Sequence, residues 1–173
     1  MRIYTIGHST LRIGAFIKIL GSYGIKALID VRTIPRSRHN PQFGQIILAA
    51  RSKKHAIEYY HLPRLGGLRH ASKDSINTAW RNASFRGYAD YMQTDGFLAG
   101  IKELLQIARK GRSVIMCAEA LPWRCHRSLI ADALVIRGVD VEHIFNEKNA
   151  RKHSITPWAK KRGLRLTYPE TKP

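Results

Sequence analysis

Short apolar runs alternate along this chain with segments whose apolar residues recur every three or four positions. The run Ile3 to Ile6 predicts a first strand. Leu11 to Leu20 predicts a helix, with Ile13, Phe16, Ile17 and Leu20 on one face. Ser9 or Thr10 is placed to cap its start, and Gly21 and Gly24 to end it. Ile25 to Val31 is almost continuously apolar, as a parallel strand buried on both faces requires. Phe43 to Arg51 reads as a second helix and Ile57 to Leu62 as a third strand. A third helix spans Phe97 to Ala108, a fourth strand Ser113 to Cys117, a fourth helix Arg124 to Arg137 with Gly138 as its stop, and a fifth strand Val141 to Phe145. Leu164 to Tyr168 is expected as an added edge strand. Between Pro63 and Met92 no period holds. A connection this long inside a compact domain is usually functional or disordered, and its aromatic residues favour an ordered cover over a site.

Strand and helix alternating in this way predict a three-layer, Rossmann-like α/β domain over residues 1–173. A mostly parallel open sheet of about five strands carries helices on both faces. Residues 63–92 form the covering loop, and 146–173 a basic tail. On such sheets ligands bind beyond the carboxyl ends of the strands. Reactive residues fall there repeatedly: His8 and Ser9 after the first strand, Asp30 and Arg32 at the second, His61 at the third, Cys117 and Glu119 at the fourth.

Charge changes the picture more than composition does. Thirty Lys and Arg oppose twelve Asp and Glu, a formal net charge of +18. Such a field favours anionic partners, whether nucleic acid, nucleotides or other anionic small molecules, although a general basic bias would produce it too. The first residues lack the apolar core and cleavage site of a signal peptide, and no run is long enough to span a membrane. With only two cysteines, these features point to reduced thiols in a cytoplasmic setting.

Both cysteines lie in one stretch, Cys117-Ala-Glu-Ala-Leu-Pro-Trp-Arg-Cys-His-Arg127, that reads as strand, tight loop and helix. Cys125 is expected near a helix N-terminus beside Arg124, His126 and Arg127, where dipole and charge both favour thiolate. Cys117, Glu119, Cys125 and His126 are therefore the candidate catalytic residues, with Glu119 as general acid or base. The same atoms allow a divalent metal on Cys117, Cys125 and His126, completed by Glu119, His8 or His61. They equally allow a redox-active disulfide, or plain packing of both thiols. A phosphatase-like or rhodanese-like anion loop is disfavoured, because Arg124 comes seven positions after Cys117 and Pro122 lacks an N–H. Gly7-His-Ser-Thr10 is a natural phosphate cradle, though not a P-loop. Arg32, Arg36, Arg38 and His39, in a loop punctuated by Pro35 and Pro41, suit bidentate recognition of phosphate or carboxylate. Arg64, Arg69, Arg81 and Arg86, interleaved with Trp80, Phe85, Tyr88 and Tyr91, could stack bases while contacting phosphates.

Thr5-Ile-Gly-His-Ser9, Asp30-Val-Arg32, Pro35-Arg-Ser-Arg38, Pro41-Gln-Phe43, His61-Leu-Pro-Arg-Leu-Gly-Gly67, Tyr88-Ala-Asp-Tyr-Met92 and the cysteine stretch together resemble the domain of unknown function 488 family. The resemblance runs from the first residues to about Ile144. It implies a compact α/β domain and no particular reaction.

Two functions follow from the residues. One is an enzyme acting on an anionic substrate, a nucleotide or nucleic-acid base. Cys117, Glu119, Cys125 and His126 would do its chemistry. His8, Ser9, Asp30, Arg32, Ser37, Arg38, His61, Tyr88, Arg124 and Arg127 would bind the substrate. The other is a nucleic-acid-binding protein without chemistry, using the basic tail and the aromatic-arginine loop. A thiol redox or metal-binding protein is a third reading of the same cysteines.

Overall fold

The computed structural model describes residues 1–170. Its strands are β1 (Arg2–Gly7), β2 (Ala27–Asp30), β3 (Glu58–His61), β4 (Ser113–Cys117), β5 (Asp140–Asn146), β6 (Asn149–Lys152), β7 (Lys160–Arg162) and β8 (Arg165–Thr167). Among the described residues five α-helices join them: α1 (Ile13–Ser22), α2 (Gln45–Lys53), α3 (Ala83–Tyr91), α4 (Asp95–Ala108) and α5 (Arg127–Val135). Three short 3-10 turns, Pro41–Phe43, Pro63–Leu65 and Pro122–Arg124, each begin on proline. At that position the missing N–H would have had no helical partner in any case.

The six-stranded sheet runs β3-β2-β4-β1-β5-β6, parallel except for β6. Residues of β4 alternate between its faces. Val114 and Met116 meet Tyr4, Ile6 and Leu28 under Phe16, Ile17 and Leu20 of α1 and Leu48 of α2. Ile115 and Cys117 meet Ile3, Ile29 and Val141 under α3, α4 and α5, whose Tyr88, Phe97, Leu104 and Leu129 complete that layer. The expected α/β sandwich with helices on both faces is the observed one, enlarged by an antiparallel edge strand.

The differences lie where tertiary contact outweighs local pattern. The 63–92 segment contains α3, capped by Asn82, whose side-chain oxygen accepts from the N–H groups of Ser84 and Phe85. Gly87 obscures this helix in the sequence, since glycine weakens helices. Its reason is steric: a Cβ there would overlap the backbone of Arg69 and His70, which pack straight onto the helix. Ser9 and Thr10 do not cap α1. Ser9 has φ 45°, and the cap position is Arg12 with no side-chain bond. Gly21 lies inside α1, and Gly24, at φ 63°, turns the chain out of it. α5 begins at Arg127, because Pro122–Arg124 forms a separate 3-10 turn. The strand expected at Leu164 to Tyr168 does not join the sheet. It appears as β8, paired with β7 in a separate ribbon, while β6 takes the sheet edge beside β5.

The tail is nevertheless anchored. Tyr168 is buried, its hydroxyl donates to Asp132 Oδ2 at 2.9 Å, and its N–H donates to Asn77 Oδ1 at 2.8 Å. Asn77 in turn donates to Asp90 of α3 at 2.7 Å. Tyr168, just after the last strand, therefore ties the covering segment to α5. Tyr168→Phe removes one donor from a buried carboxylate and should cost about 1–3 kcal/mol, read as a lower urea midpoint with an unchanged m-value.

Candidate functional site

β1 and β4 lie side by side, with Gly7 opposite Cys117. From β1 the chain crosses by α1 to β2 on one side, and from β4 it crosses by α5 to β5 on the other. Their carboxyl ends are the point where the winding reverses, and there an open α/β sheet leaves a crevice. Here the two loops are stitched together. His8 N–H donates to the Cys117 carbonyl at 3.0 Å and Ser9 N–H to the Ala118 carbonyl at 2.9 Å. Gly7 is required because any Cβ would overlap the Glu119 carbonyl.

The thiols sit on this seam. Cys117, Cys125 and His126 bring two Sγ atoms and a ring nitrogen within 4.8 Å of one another. His126 Nε2 lies 3.1 Å from the Val31 carbonyl. A carbonyl only accepts, so Nε2 carries a proton, and Nδ1 faces Cys125 Sγ at 3.7 Å. Arg127 Nε donates to Cys125 Sγ at 3.4 Å. A hydrogen bond from the Cys117 thiol lowers the Cys125 pKa well below the ordinary value, against the opposing effect of burial, and His126 and Arg127 reinforce it. The same bond and burial raise that of Cys117. Cys117 and His126, with Arg32, Arg36, Ser37 and Leu68, border a cavity of about 340 Å³.

The other candidate residues divide between this cavity and its framework. Asp30 and Arg32 are both buried, and Arg32 grips both oxygens of Asp30, the shortest contact 2.6 Å. Tyr59 also donates to Asp30, and Arg32 donates to the Phe43 carbonyl, so the pair holds three connections together. His61 Nε2 bonds the Arg32 carbonyl at 2.8 Å. His8 is buried and stacked on Phe43; Nδ1 donates to the Ser9 carbonyl and Nε2 accepts from Arg32. Burial above all pushes its pKa down to about 4. Tyr88 donates to the Leu65 carbonyl and leans over the His126 ring. Glu119 accepts from Leu121 N–H in its own loop. Arg127 is buried beneath that loop. Ser37 accepts from Asn40 N–H, and Arg38 and Arg124 are exposed. Cys117, Cys125, His126, Arg32 and Ser37 are thus brought together, while Arg124 and the carboxylate of Glu119 do not border the cavity.

A second set of polar residues was not anticipated from the sequence. Arg127 donates to Thr5 Oγ1 at 3.5 Å, and Thr5 lies 2.7 Å from His143 Nδ1. His143 Nε2 lies 2.9 Å from His153 Nδ1, and His153 Nε2 lies 2.7 Å from Asp132 Oδ1. One direction satisfies every atom: guanidinium to hydroxyl, hydroxyl to neutral His143, His143 to His153, His153 to carboxylate. Burial holds His143 neutral and pushes its pKa down to about 3. The available signal was Asp132, a lone carboxylate within the apolar run Leu129 to Leu134.

Fold and crevice define an α/β protein with a buried thiol–imidazole site at the winding reversal of its sheet. Residues 12–134 match the family model described as "Domain of unknown function DUF488", and the chain belongs to that family. No curated protein and no solved structure matches the chain. Among the described residues no helix is long and apolar enough to cross a membrane.

Two predictions follow from the framework. Asp30→Asn leaves the buried Arg32 charge uncompensated and should cost about 3–5 kcal/mol by urea denaturation. The second concerns pH. His8 and His143 bind their protons more weakly folded than unfolded. The unfolded chain therefore takes up more protons below about pH 6.5, and stability present above that pH is lost as it falls. The urea midpoint should drop between about pH 6.5 and 5, where carboxylates stay ionised, and His8→Gln should flatten the drop.

Proposed function

We propose that this protein is a metal-dependent enzyme that acts on an anionic substrate, a nucleotide or nucleic-acid base, with Cys117, Cys125 and His126 as the ligands of a zinc-class ion. The observation that carries the reading is the donor set. A tetrahedral zinc bound by sulfur and nitrogen places such ligand atoms roughly 3.6 Å apart, and Cys125 Sγ stands 3.7 Å from His126 Nδ1. The Val31 carbonyl on Nε2 is the kind of outer partner that orients a ligating imidazole. Arg127 on Cys125 would stabilise the bound thiolate in the same way.

Three protein ligands leave a fourth position for water or substrate, as catalytic rather than structural zinc sites do. Cys117 and His126 border the cavity, which supports placing that position there. When bound, such an ion supplies Lewis acidity or an acidified water. The chain's own groups would do the rest. Arg36 and Ser37 would hold the anion at the cavity rim, with Arg38 of the same loop closing on it. Arg32, committed to Asp30, would contribute positive potential. The loop geometry supports a shaping role for Glu119, whose carboxylate caps its own turn.

A thiol-exchange reading rests on one distinct observation, two free thiols whose sulfurs lie within 4.8 Å of each other. It would make Cys125, held towards thiolate, the attacking sulfur and Cys117, at the cavity, the resolving one. Metal analysis separates the two. The metal reading expects about one zinc or iron per chain in protein purified without chelator, and a thiolate-to-cobalt charge-transfer band after cobalt exchange. Cys125→Ser and His126→Ala should lose both while keeping the native circular dichroism. Folded wild-type protein that takes up neither zinc nor cobalt would sink the metal reading in favour of thiol exchange.

A further inference from the structure

All three tryptophans of the chain, Trp80, Trp123 and Trp158, border one cavity of about 390 Å³ on the β5–β6 side of the sheet. They come from three separate segments: the covering loop, the cysteine loop and the tail. Random placement rarely gathers every indole of a chain in this way. The packing does not account for all of them. Trp80 stacks on Phe85 with 4.8 Å between ring centroids and also meets Trp158 and Tyr168, so it serves the core. Trp123 is 58% exposed and Trp158 38% exposed, in a protein that buries most of its large apolar side chains. The indole N–H of Trp80 is buried with no hydrogen-bond partner among the described residues.

The polar lining is of one sign. Arg151 lies with its guanidinium 5.5 Å from the Phe145 ring centroid, and Lys152 stands next to it on β6. His143 and His153 supply ring nitrogens, and Ser128 and Thr156 hydroxyls. Among the described residues no Asp or Glu borders the cavity. Asp132, bonded to the lining residue His153, is also engaged by Thr156 N–H and Tyr168, and Asp140 pairs with Lys152 at 3.4 Å. Aromatic walls with hydrogen-bonding groups and cations fit a flat, polar-edged ring that carries negative charge. This cavity shares no lining residue with the one at Cys117.

We infer that this cavity is a second binding site, one that takes a nucleobase with its attached phosphate. The base stacks against Trp123 and Trp158, and the phosphate rests on Arg151. Stacking of this kind tolerates different bases, because every base presents a π-face. The site requires nothing of the metal reading. The floor of the cavity is nevertheless in hydrogen-bonded continuity with the thiols, through His143, Thr5 and Arg127.

The tryptophans make the test direct, since all indole emission arises beside this cavity. Wild-type protein is titrated with AMP, GMP, CMP and UMP, and separately with a short single-stranded oligonucleotide, in moderate salt. Saturable quenching by the mononucleotides, weakened at least tenfold in Trp123→Ala and in Arg151→Ala but not in Lys110→Ala on the far side of the sheet, is the expected result. Saturation by the oligonucleotide alone, with the same response to the three variants, would assign the unit to a nucleic-acid strand. Wild-type protein stripped of metal by chelator should bind the nucleotides as untreated protein does. Quenching by none of these probes, or quenching equally reduced by Lys110→Ala, would overturn the inference and leave only diffuse attraction to a basic surface. Trp123→Phe, which keeps a ring at the position, should retain most of the affinity and guards against a folding defect in Trp123→Ala.

Discussion

A guanidinium taken out of water must find partners for its N–H groups or destabilise the fold by several kcal/mol. Arg127 meets that demand at the start of α5, where it is almost wholly buried. Its Nε holds Cys125 Sγ, one terminal nitrogen reaches Thr5 on β1, and the other holds the carbonyls of Glu119 and Ala120. The position is unfavourable for a cation by itself, because a helix N-terminus is already positive. Cys125, whose pKa is lowered chiefly by the Cys117 hydrogen bond, places a sulfur drawn towards thiolate beside that charge. The cysteine loop, the central strand and the buried thiol are therefore joined through one guanidinium.

The same junction explains why the loop after β4 is so closely fitted to the loop after β1. The Glu119 carbonyl that accepts from Arg127 occupies the volume a side chain at Gly7 would fill. The crevice that parallel sheets leave at a winding reversal is thus closed at the seam and open to one side, towards Arg36 and Ser37. A second buried ion pair, Asp30 with Arg32, sets that side by fixing the end of β2, the Phe43 turn and the phenol of Tyr59. Both charged groups at the sheet edge serve first to hold backbone. Left together at the seam are two sulfurs and one ring nitrogen, with Arg127 donating to one of the sulfurs.

How much of this was legible depends on how local its cause is. The five parallel strands and four of the helices follow from periodicity, because apolar burial on two faces leaves a one-dimensional trace. The helix α3 left a faint trace, since Gly87 and its aromatic neighbours answer to the segment packed on them. The cysteine stretch, the Asp30–Arg32 pair and the basic loop stood out as residue types that packing does not need. His8 stood out equally, yet its two ring nitrogens are taken by Ser9 and Arg32. The chain from Thr5 through His143 and His153 to Asp132 joins β1, β5, the tail and α5, and nothing in sequence spacing connects them.

By itself, then, the sequence determined the layered α/β class, the strand that ends in Cys117, the basic balance and the family to which residues 12–134 belong. Each of these rests on residues near one another in the chain, or on composition. Tertiary structure alone decided that Cys117, Cys125 and His126 converge within a few ångströms. It also decided that Arg127 and Asp30 are committed to the framework, and that three distant tryptophans share one wall. Those outcomes depend on which donors and acceptors meet when water is excluded, and a buried polar atom takes the partner that folding brings to it.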